Sequence, residues 1–172
     1  MAVPKNKALL EAEVRTWTED ISDAAILEMM SAALKRPARI SRDFDIPYAA
    51  GYSSDGRVIY IDRHMPSALR VGGRRVPTDR FIALHEIVEK ALLDGLRLHY
   101  LHAHQVALRT EQAAVRAAGL SWRTYDRFTK KHSKEIAVER LTRVPAALDL
   151  TPYSDEEDFD TLDRLVKQAG RT

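Results

Sequence analysis

Three side chains with metal-site chemistry lie within five positions of one another, in the stretch from Phe81 to Leu93. The apolar residues of this stretch recur at steps of three and four, which predicts a helix with one face towards the core. His85 and Glu89 fall on that face one turn apart, so both side chains can reach a common point. Glu86 lies at the edge of the same face. Two inward ligands beside a carboxylate at the rim are the arrangement that hydrolysis at a zinc ion requires.

A purely structural interpretation of these residues is also open. A histidine on an apolar helix face is commonly a hydrogen-bonded core residue, and a glutamate one turn later commonly lies at the surface. The pattern of the next helix bears on the choice between the two interpretations.

A second long helix is predicted from about Leu96 to Ala118. His104 and Glu111 lie seven positions apart, about 20° around the helix axis, in the middle of one face. Tyr100 belongs to the same face. His102 falls on the opposite, charged face, where we expect it to be solvated.

The connection between the two helices is short, which favours antiparallel neighbours packed face to face. This pairing places the polar residues of the two inner faces opposite each other. Burying so many ionisable groups between apolar surfaces is costly unless they compensate one another. A bound cation or a salt-bridged network would compensate them, and no Lys or Arg lies in the middle of either inner face. The pattern therefore favours a metal, and the candidate ligands are His85, Glu89, His104 and Glu111.

Composition limits the other kinds of site. The chain has 172 residues, with 27 Lys and Arg against 25 Asp and Glu, and a net charge of +2 demands no polyanionic partner. There are no cysteines, which excludes disulfides, thiolate ligands and a cysteine nucleophile. No window approaches 18 continuous apolar residues and no long apolar run follows the N-terminus, so we expect no membrane span and no secretory signal. A cytoplasmic location is the corresponding expectation.

The expected fold is α+β and mostly helical, with the antiparallel helix pair carrying the metal site. β-branched and aromatic residues predict a strand at Arg57–Arg63. Asp55-Gly56 just before it is a hairpin turn signal, so a partner strand is expected within 44–52. The resulting small sheet, about residues 44–63, would lie beside the helix pair.

The rest of the chain completes one expected domain, residues 1–172, with its core in about 19–143. Residues 67–77, which contain Gly72-Gly73, are expected to form a plain surface loop. Residues 1–17 are expected as a loose arm or as a short helix from Lys7 to Arg15. Ser154 and Glu157 form a capping box for a C-terminal helix packed on the core. The further helices predicted from apolar periodicity are Glu19–Lys35, 121–143 and 155–168.

The motif His85-Glu86-x-x-Glu89 resembles that of the zincin metallopeptidases, in which a helix supplies two histidines around a catalytic glutamate. In small zincin domains a strand before that helix borders the cleft and pairs with an extended substrate, and Arg57–Arg63 is similar in position. His104 is similar to the further ligand that zincins bring from downstream. Comparable His-Glu-x-x-Glu helices occur in small phage- and prophage-encoded proteins.

The resemblance covers about residues 52–118 and implies that His85 is a metal ligand and Glu86 the general base. It departs at Glu89, where the family has a histidine. A carboxylate is a harder ligand and adds negative charge, which lowers the Lewis acidity of the metal. The identity of the metal and the peptidase activity therefore stay open at this point.

Three functions are consistent with the sequence. The first is a metal-dependent hydrolase, peptidase-like, acting on a peptide or protein. The second is a non-enzymatic, phage-derived structural or interaction protein whose metal or polar cluster is only structural. The third is a nucleic-acid-binding accessory factor that uses the basic helix 121–143, although acidic residues interrupt its basic run and make nucleic acid the weaker prediction.

For the hydrolase, zinc or another divalent ion activates a water molecule that a glutamate deprotonates, and a further donor stabilises the oxyanion. The candidate residues are His85, Glu89 and His104 as ligands, Glu111 as a fourth ligand or as a contact of one of them, Glu86 as base, and Tyr100 or His64 as oxyanion donor.

Overall fold

A computed structural model describes residues 22–169, which form a mostly helical α+β fold, as the sequence predicts. The expectations for residues 1–17, and the first residues of the predicted helix Glu19–Lys35, lie outside the described part. The strands are β1 (Arg39–Ser41), β2 (Ala50–Tyr52), β3 (Val58–Ile61), β4 (Ala68–Val71) and β5 (Arg74–Pro77). The helices are α1 (22–34), α2 (Asp79–Leu96), α3 (Tyr100–Ala117), α4 (Trp122–Ala137), α5 (Thr151–Asp155) and α6 (Phe159–Ala169).

The three-stranded sheet has β3 in its centre, with β1 parallel and β2 antiparallel to it. The predicted hairpin is confirmed: Gly51 of β2 is opposite Tyr60 of β3, and Gly56 takes φ = 68° in the turn between them. β1 could not be predicted, because a three-residue strand is too short to display a period.

The predicted loop 67–77 is wrong, because this segment is the hairpin of β4 and β5. Gly72 and Gly73 have φ values of 53° and 78° and form its two-residue turn. Turns in which both central residues have positive φ match the twist of the flanking strands, and a glycine pair adopts them without strain.

The α2–α3 pair is the framework of the candidate site. His85 of α2 contacts Glu111 of α3, while Glu89 contacts His104, so the two helices run antiparallel. The buried side chains between them are Val88, Leu92, Ala103 and Ala107.

Helix α4 ends at Ala137 rather than at residue 143. The backbone N–H groups of Thr142 and Arg143 donate to the Asp45 carboxylate at 2.6 and 2.8 Å, which fixes the following segment in a non-helical path. Val138, the first residue after the helix, is 85% exposed.

The C-terminal helix α6 begins at Phe159 rather than at residue 155. Ser154 belongs to the short helix α5, and the N–H of Thr161 donates to the Asp158 carboxylate at 3.2 Å, so Asp158 caps α6. Buried Leu165 then packs on the outer side of the sheet, in a cluster that also contains Ile46, Tyr60, Val144, Leu148 and Tyr153. Within residues 22–169, no helix has the length and apolar character needed to cross a membrane.

Candidate metal centre

Three potential ligand atoms converge between α2 and α3, and we call His85, Glu89 and His104 the His–Glu cluster. His85 Nε2 lies 3.3 Å from Glu89 Oε2 and 3.1 Å from His104 Nδ1, and the last two atoms are 2.8 Å apart. Ligands on a tetrahedral zinc ion with bonds of about 2.0–2.1 Å lie roughly 3.3 Å from one another. The three atoms therefore have nearly the spacing that a shared metal ion needs.

Glu111 lies behind His85 and fixes the orientation of its ring. Its Oε2 is 3.0 Å from His85 Nδ1, and its Oε1 accepts a hydrogen bond of 2.5 Å from the Tyr125 hydroxyl. When Nδ1 carries the proton and donates to Glu111, the lone pair of Nε2 points into the cluster. A carboxylate that holds a histidine in this way is the usual arrangement around a metal-bound imidazole. The structure thus places Glu111 as a contact of His85 and not at the shared point.

Tyr52 fixes the orientation of Glu89 in the same manner. Its hydroxyl, which is buried at the end of β2, donates to Glu89 Oε1 at 2.9 Å and leaves Oε2 facing the two imidazoles. Neither Tyr52 nor Tyr125 could be predicted as part of the site from its position in the sequence. Their apolar neighbours identify them only as core residues, since nothing in the local sequence connects β2 or α4 with the inner faces of α2 and α3.

The His–Glu cluster requires positive charge. Burial lowers the pKa of His85, but its hydrogen bonds to Glu111 and Glu89 outweigh burial and raise that pKa to about 10. Burial raises the pKa of Glu89, but hydrogen bonds with His104 and His85 bring it below its ordinary value. Two buried carboxylates thus surround His85, and either a proton or a metal ion can supply the compensating cation.

The cluster opens into a cavity of about 580 Å³ between β2, α3, α4 and α5. Glu86 lines this cavity beside His85, and no donor among residues 22–169 bonds to its carboxylate. Burial, and then the negative charge of Glu89, raise the pKa of Glu86 to about 8.

Tyr100 also lines the cavity, with its hydroxyl 3.4 Å from His104 Nδ1. Burial, followed by the nearby Glu89 and Glu86, raises its pKa well above the ordinary value, so the hydroxyl keeps its proton. His64 lies elsewhere: it is about half exposed, and its Nδ1 is 2.5 Å from Glu139 Oε2. Of the two expected oxyanion donors, only Tyr100 reaches the cavity.

The strand that borders the cavity is β2 and not the predicted strand at Arg57–Arg63. β3 is paired on both sides, whereas β2 is an edge strand and lines the cavity. The Ser53 N–H donates to the Val58 carbonyl of β3, and the Ala49 carbonyl accepts from the N–H of Asp62, just after β3. By the alternation of an antiparallel ladder, Ala50 therefore points its N–H and C=O away from β3. Within the described part of the chain, no group bonds to these two atoms of Ala50.

A second group of potential ligands, which we call the aspartate clasp, consists of Asp45, Asp62 and His64. Asp62 Oδ2 accepts from the Ile46 N–H at 2.7 Å, and Asp62 Oδ1 accepts from the His64 N–H at 2.8 Å. Asp45 Oδ1 is 2.6 Å from Nε of Arg63, and its other oxygen accepts the bonds from the segment after α4. Three of the four carboxylate oxygens therefore accept backbone N–H groups, while Asp45 Oδ1 accepts no hydrogen bond and is balanced by the Arg63 charge, so the clasp connects chain segments.

The site residues predicted from the sequence thus occupy three kinds of position. His85, Glu89 and His104 meet at one point, Glu111 supports His85, and Glu86 and Tyr100 line the adjoining cavity. No protein-family model, no curated protein and no solved structure matches this chain.

Proposed function

We propose that this protein is a zinc-dependent, zincin-like hydrolase that cleaves peptide bonds. One observation carries the proposal: three converging ligand atoms and an unengaged glutamate carboxylate border the same open cavity. A structural cluster needs no cavity, whereas a catalytic zinc site needs an open position that a substrate can reach.

The donor set fits zinc. His85 and His104 would contribute imidazole nitrogens and Glu89 one carboxylate oxygen, and two imidazoles with one carboxylate are a set that catalytic zinc uses. Glu89 therefore departs from the zincin helix motif, but the number of imidazole ligands stays at two, because His104 of α3 supplies the second one. When bound, the ion would polarise a carbonyl group and lower the pKa of a water molecule.

Glu86 and Tyr100 have separate tasks in this proposal. Glu86 faces the cavity without a hydrogen-bond donor, and its pKa of about 8 suits a group that takes a proton from water and passes it to the leaving amine near neutral pH. The Tyr100 hydroxyl, which retains its proton, is available to stabilise the negative charge that develops on the carbonyl oxygen.

The edge of β2 supports a polypeptide as substrate. The outward N–H and C=O groups of Ala50 are available to a fourth strand, which is how an extended peptide adds to an exposed sheet edge. Further along, the Tyr52 carbonyl accepts from the Asp149 N–H at 2.9 Å, so the free edge is short. Such an edge suits a few residues of extended substrate on the cavity side.

A non-enzymatic protein is the second candidate, and one observation favours it. A protonated His85 between Glu89 and Glu111 satisfies the cluster without any metal. In this case the cluster would connect α2 and α3 in the way that a buried ion pair connects two helices.

Replacement of Glu86 by glutamine distinguishes the two candidates. Glu86→Gln keeps the shape and removes the basicity, so zinc content should stay at one equivalent while hydrolysis of unstructured peptides falls by about 100-fold or more. His102→Ala is the control, because His102 is exposed and should change neither quantity. A zinc-loaded wild type that hydrolyses none of a diverse peptide pool would favour the non-enzymatic protein, and loss of zinc from Glu86→Gln would make Glu86 a ligand.

A further inference from the structure

The α4 wall of the cavity carries a positive charge that no described residue compensates. Lys130, Ser133 and Lys134 line the cavity from this helix. Nζ of Lys130 donates to Asp126 Oδ2 at 2.9 Å, so its charge is partly balanced. Lys134 is exposed, and within residues 22–169 it has neither an ion pair nor a hydrogen bond.

The other charged groups at the cavity are arranged differently. Asp149, on the wall near α5, is bonded to Nζ of Lys90 at 2.7 Å, and Lys90 is also bonded to Asp94, so the charge of Asp149 is partly balanced. Glu156, at the end of α5, lines the cavity without a partner among the described residues. The cavity thus has an uncompensated cation on its α4 wall and two carboxylates without a donor, Glu86 beside the His–Glu cluster and Glu156 on the α5 wall.

We propose that the α4 wall is a subsite for an acidic side chain of the substrate, with Lys134 as the residue that determines specificity and Lys130 beside it. The inference rests on the proposed function, in that an extended polypeptide occupies the cavity. The substrate class is then polypeptide segments with Asp or Glu near the cleaved bond. A charge at the rim of a binding site selects among partners by attraction and by repulsion of the wrong sign.

Lys134 also has a role that has nothing to do with substrate. It lies in the last turn of α4, where a cation interacts favourably with the helix dipole. That interaction affects the stability of the helix but cannot distinguish one peptide from another. A preference among peptides that changes when Lys134 changes is therefore a readout that the structural role would not move.

Lys131 provides a matched control. It is an exposed lysine of the same helix, its Nζ is 3.9 Å from Glu135 Oε1, and it borders a shallow groove outside the cavity. Lys131→Glu makes the same change in net charge as Lys134→Glu, so any difference between the two variants reports the position of the charge.

The test uses peptides that are identical except for Glu, Gln or Lys at one position, placed in turn on each side of the central bond. Binding is measured by fluorescence anisotropy with the zinc-loaded Glu86→Gln protein, and kcat/KM is measured with a functional Glu86. At the position that meets α4, we expect the Glu peptide to be preferred over the Gln peptide by about two- to fivefold at low salt.

Lys134→Gln should abolish this preference, Lys134→Glu should reverse it in favour of the Lys peptide, and Lys131→Glu should leave it unchanged. Lys134→Gln keeps the test valid if the reversed charge destabilises the end of α4. Hydrolysis without any charge preference, or with a preference that survives in both Lys134 variants, would overturn the subsite and leave the proposed function standing.

Charge-selective binding without hydrolysis would support the subsite and count against the peptidase. Competition with a single-stranded oligonucleotide tests the alternative that the α4 wall binds nucleic acid. If it displaces the peptide, binds with a steep dependence on salt and is lost in Lys134→Glu, the α4 wall contacts nucleic acid and the acidic-peptide subsite is refuted.

Discussion

Histidine and carboxylate side chains lie within metal-binding distance of one another in two places in the described part of the molecule. In the His–Glu cluster and in the aspartate clasp alike, three potential ligand atoms lie within 4.8 Å of one another. The carboxylates are buried in both, and the acidic residues outnumber the histidines only in the clasp.

The two regions differ in what the carboxylates already bind. Asp45 and Asp62 accept backbone N–H groups from the segments they connect, and the remaining oxygen, Asp45 Oδ1, is paired with the Arg63 cation. Oε2 of Glu89 faces only the two imidazoles and the cavity, and its other oxygen is held by Tyr52. Both clusters bring histidine and carboxylate atoms within 4.8 Å of one another, and the position of competing donors and cations decides which one is available to a metal.

The largest expected effect follows removal of a ligand. His85→Ala should lower the zinc affinity by more than the roughly 10–100-fold that supporting contacts of a metal site contribute, because it deletes one of three ligand atoms. His64→Ala in the aspartate clasp should leave the affinity unchanged. Both are measured by competition with a chromophoric chelator, and equal losses in the two variants would show that the clusters are not distinct.

The aspartate clasp should instead determine the free energy of unfolding. Asp45→Ala leaves the N–H groups of Thr142 and Arg143 without their acceptor and removes the ion pair with Arg63, so we expect a loss of about 2–4 kcal/mol. Urea denaturation gives this value, and zinc affinity serves as the control quantity. A variant as stable as the wild type would mean that the clasp contributes nothing to the fold.

The supporting tyrosines should have a smaller effect on zinc. Tyr125→Phe removes the hydroxyl that holds Glu111, and Tyr52→Phe removes the one that holds Glu89, with little change in shape. Each should weaken zinc binding by about tenfold, at the lower end of the range for such contacts. Tyr60→Phe is the control, since Tyr60 belongs to the sheet and packs against Phe44. Unchanged affinity in both variants would refute the orienting role.

The smallest effect is a pH dependence confined to the clasp. Burial raises the pKa of Asp45, but hydrogen bonds from Thr142 and Arg143 outweigh burial and lower that pKa below the ordinary value of 3.8. The stabilisation by Asp45 is therefore complete above that value and is lost as the pH falls through the lower folded-state pKa. In urea titrations at several pH values, the difference between wild type and Asp45→Asn should shrink below about pH 4. A stability difference between the two proteins that is constant down to pH 2 would contradict this role of the Asp45 carboxylate.

The positions of the two site helices could be predicted because their periodicity is long and regular. Apolar residues at steps of three and four fix which way His85, Glu89, His104 and Glu111 face, and a short connection makes the helices antiparallel. The metal role of each residue stays a prediction. The position of Glu111 behind His85 could not be predicted from periodicity, because it depends on the hydrogen bond from Tyr125 of α4.

The predictions that failed concern elements whose ends depend on contacts with distant parts of the chain. Helix α4 stops where Asp45, almost a hundred residues earlier in the chain, binds the next backbone N–H groups. β1 exists because it pairs with the central strand, and its three residues carry no pattern of their own. Local propensity cannot report such contacts, since they form only in the folded chain.

The most direct test is the position of zinc in crystals of the metal-loaded protein, located by anomalous scattering at the zinc edge. We expect one strong peak about 2.0–2.2 Å from His85 Nε2, Glu89 Oε2 and His104 Nδ1, with no peak in the aspartate clasp. A zinc ion bound by Asp45, Asp62 and His64, or no zinc within bonding distance of the His–Glu cluster at saturating concentration, would contradict the assignment of this cluster as the metal centre.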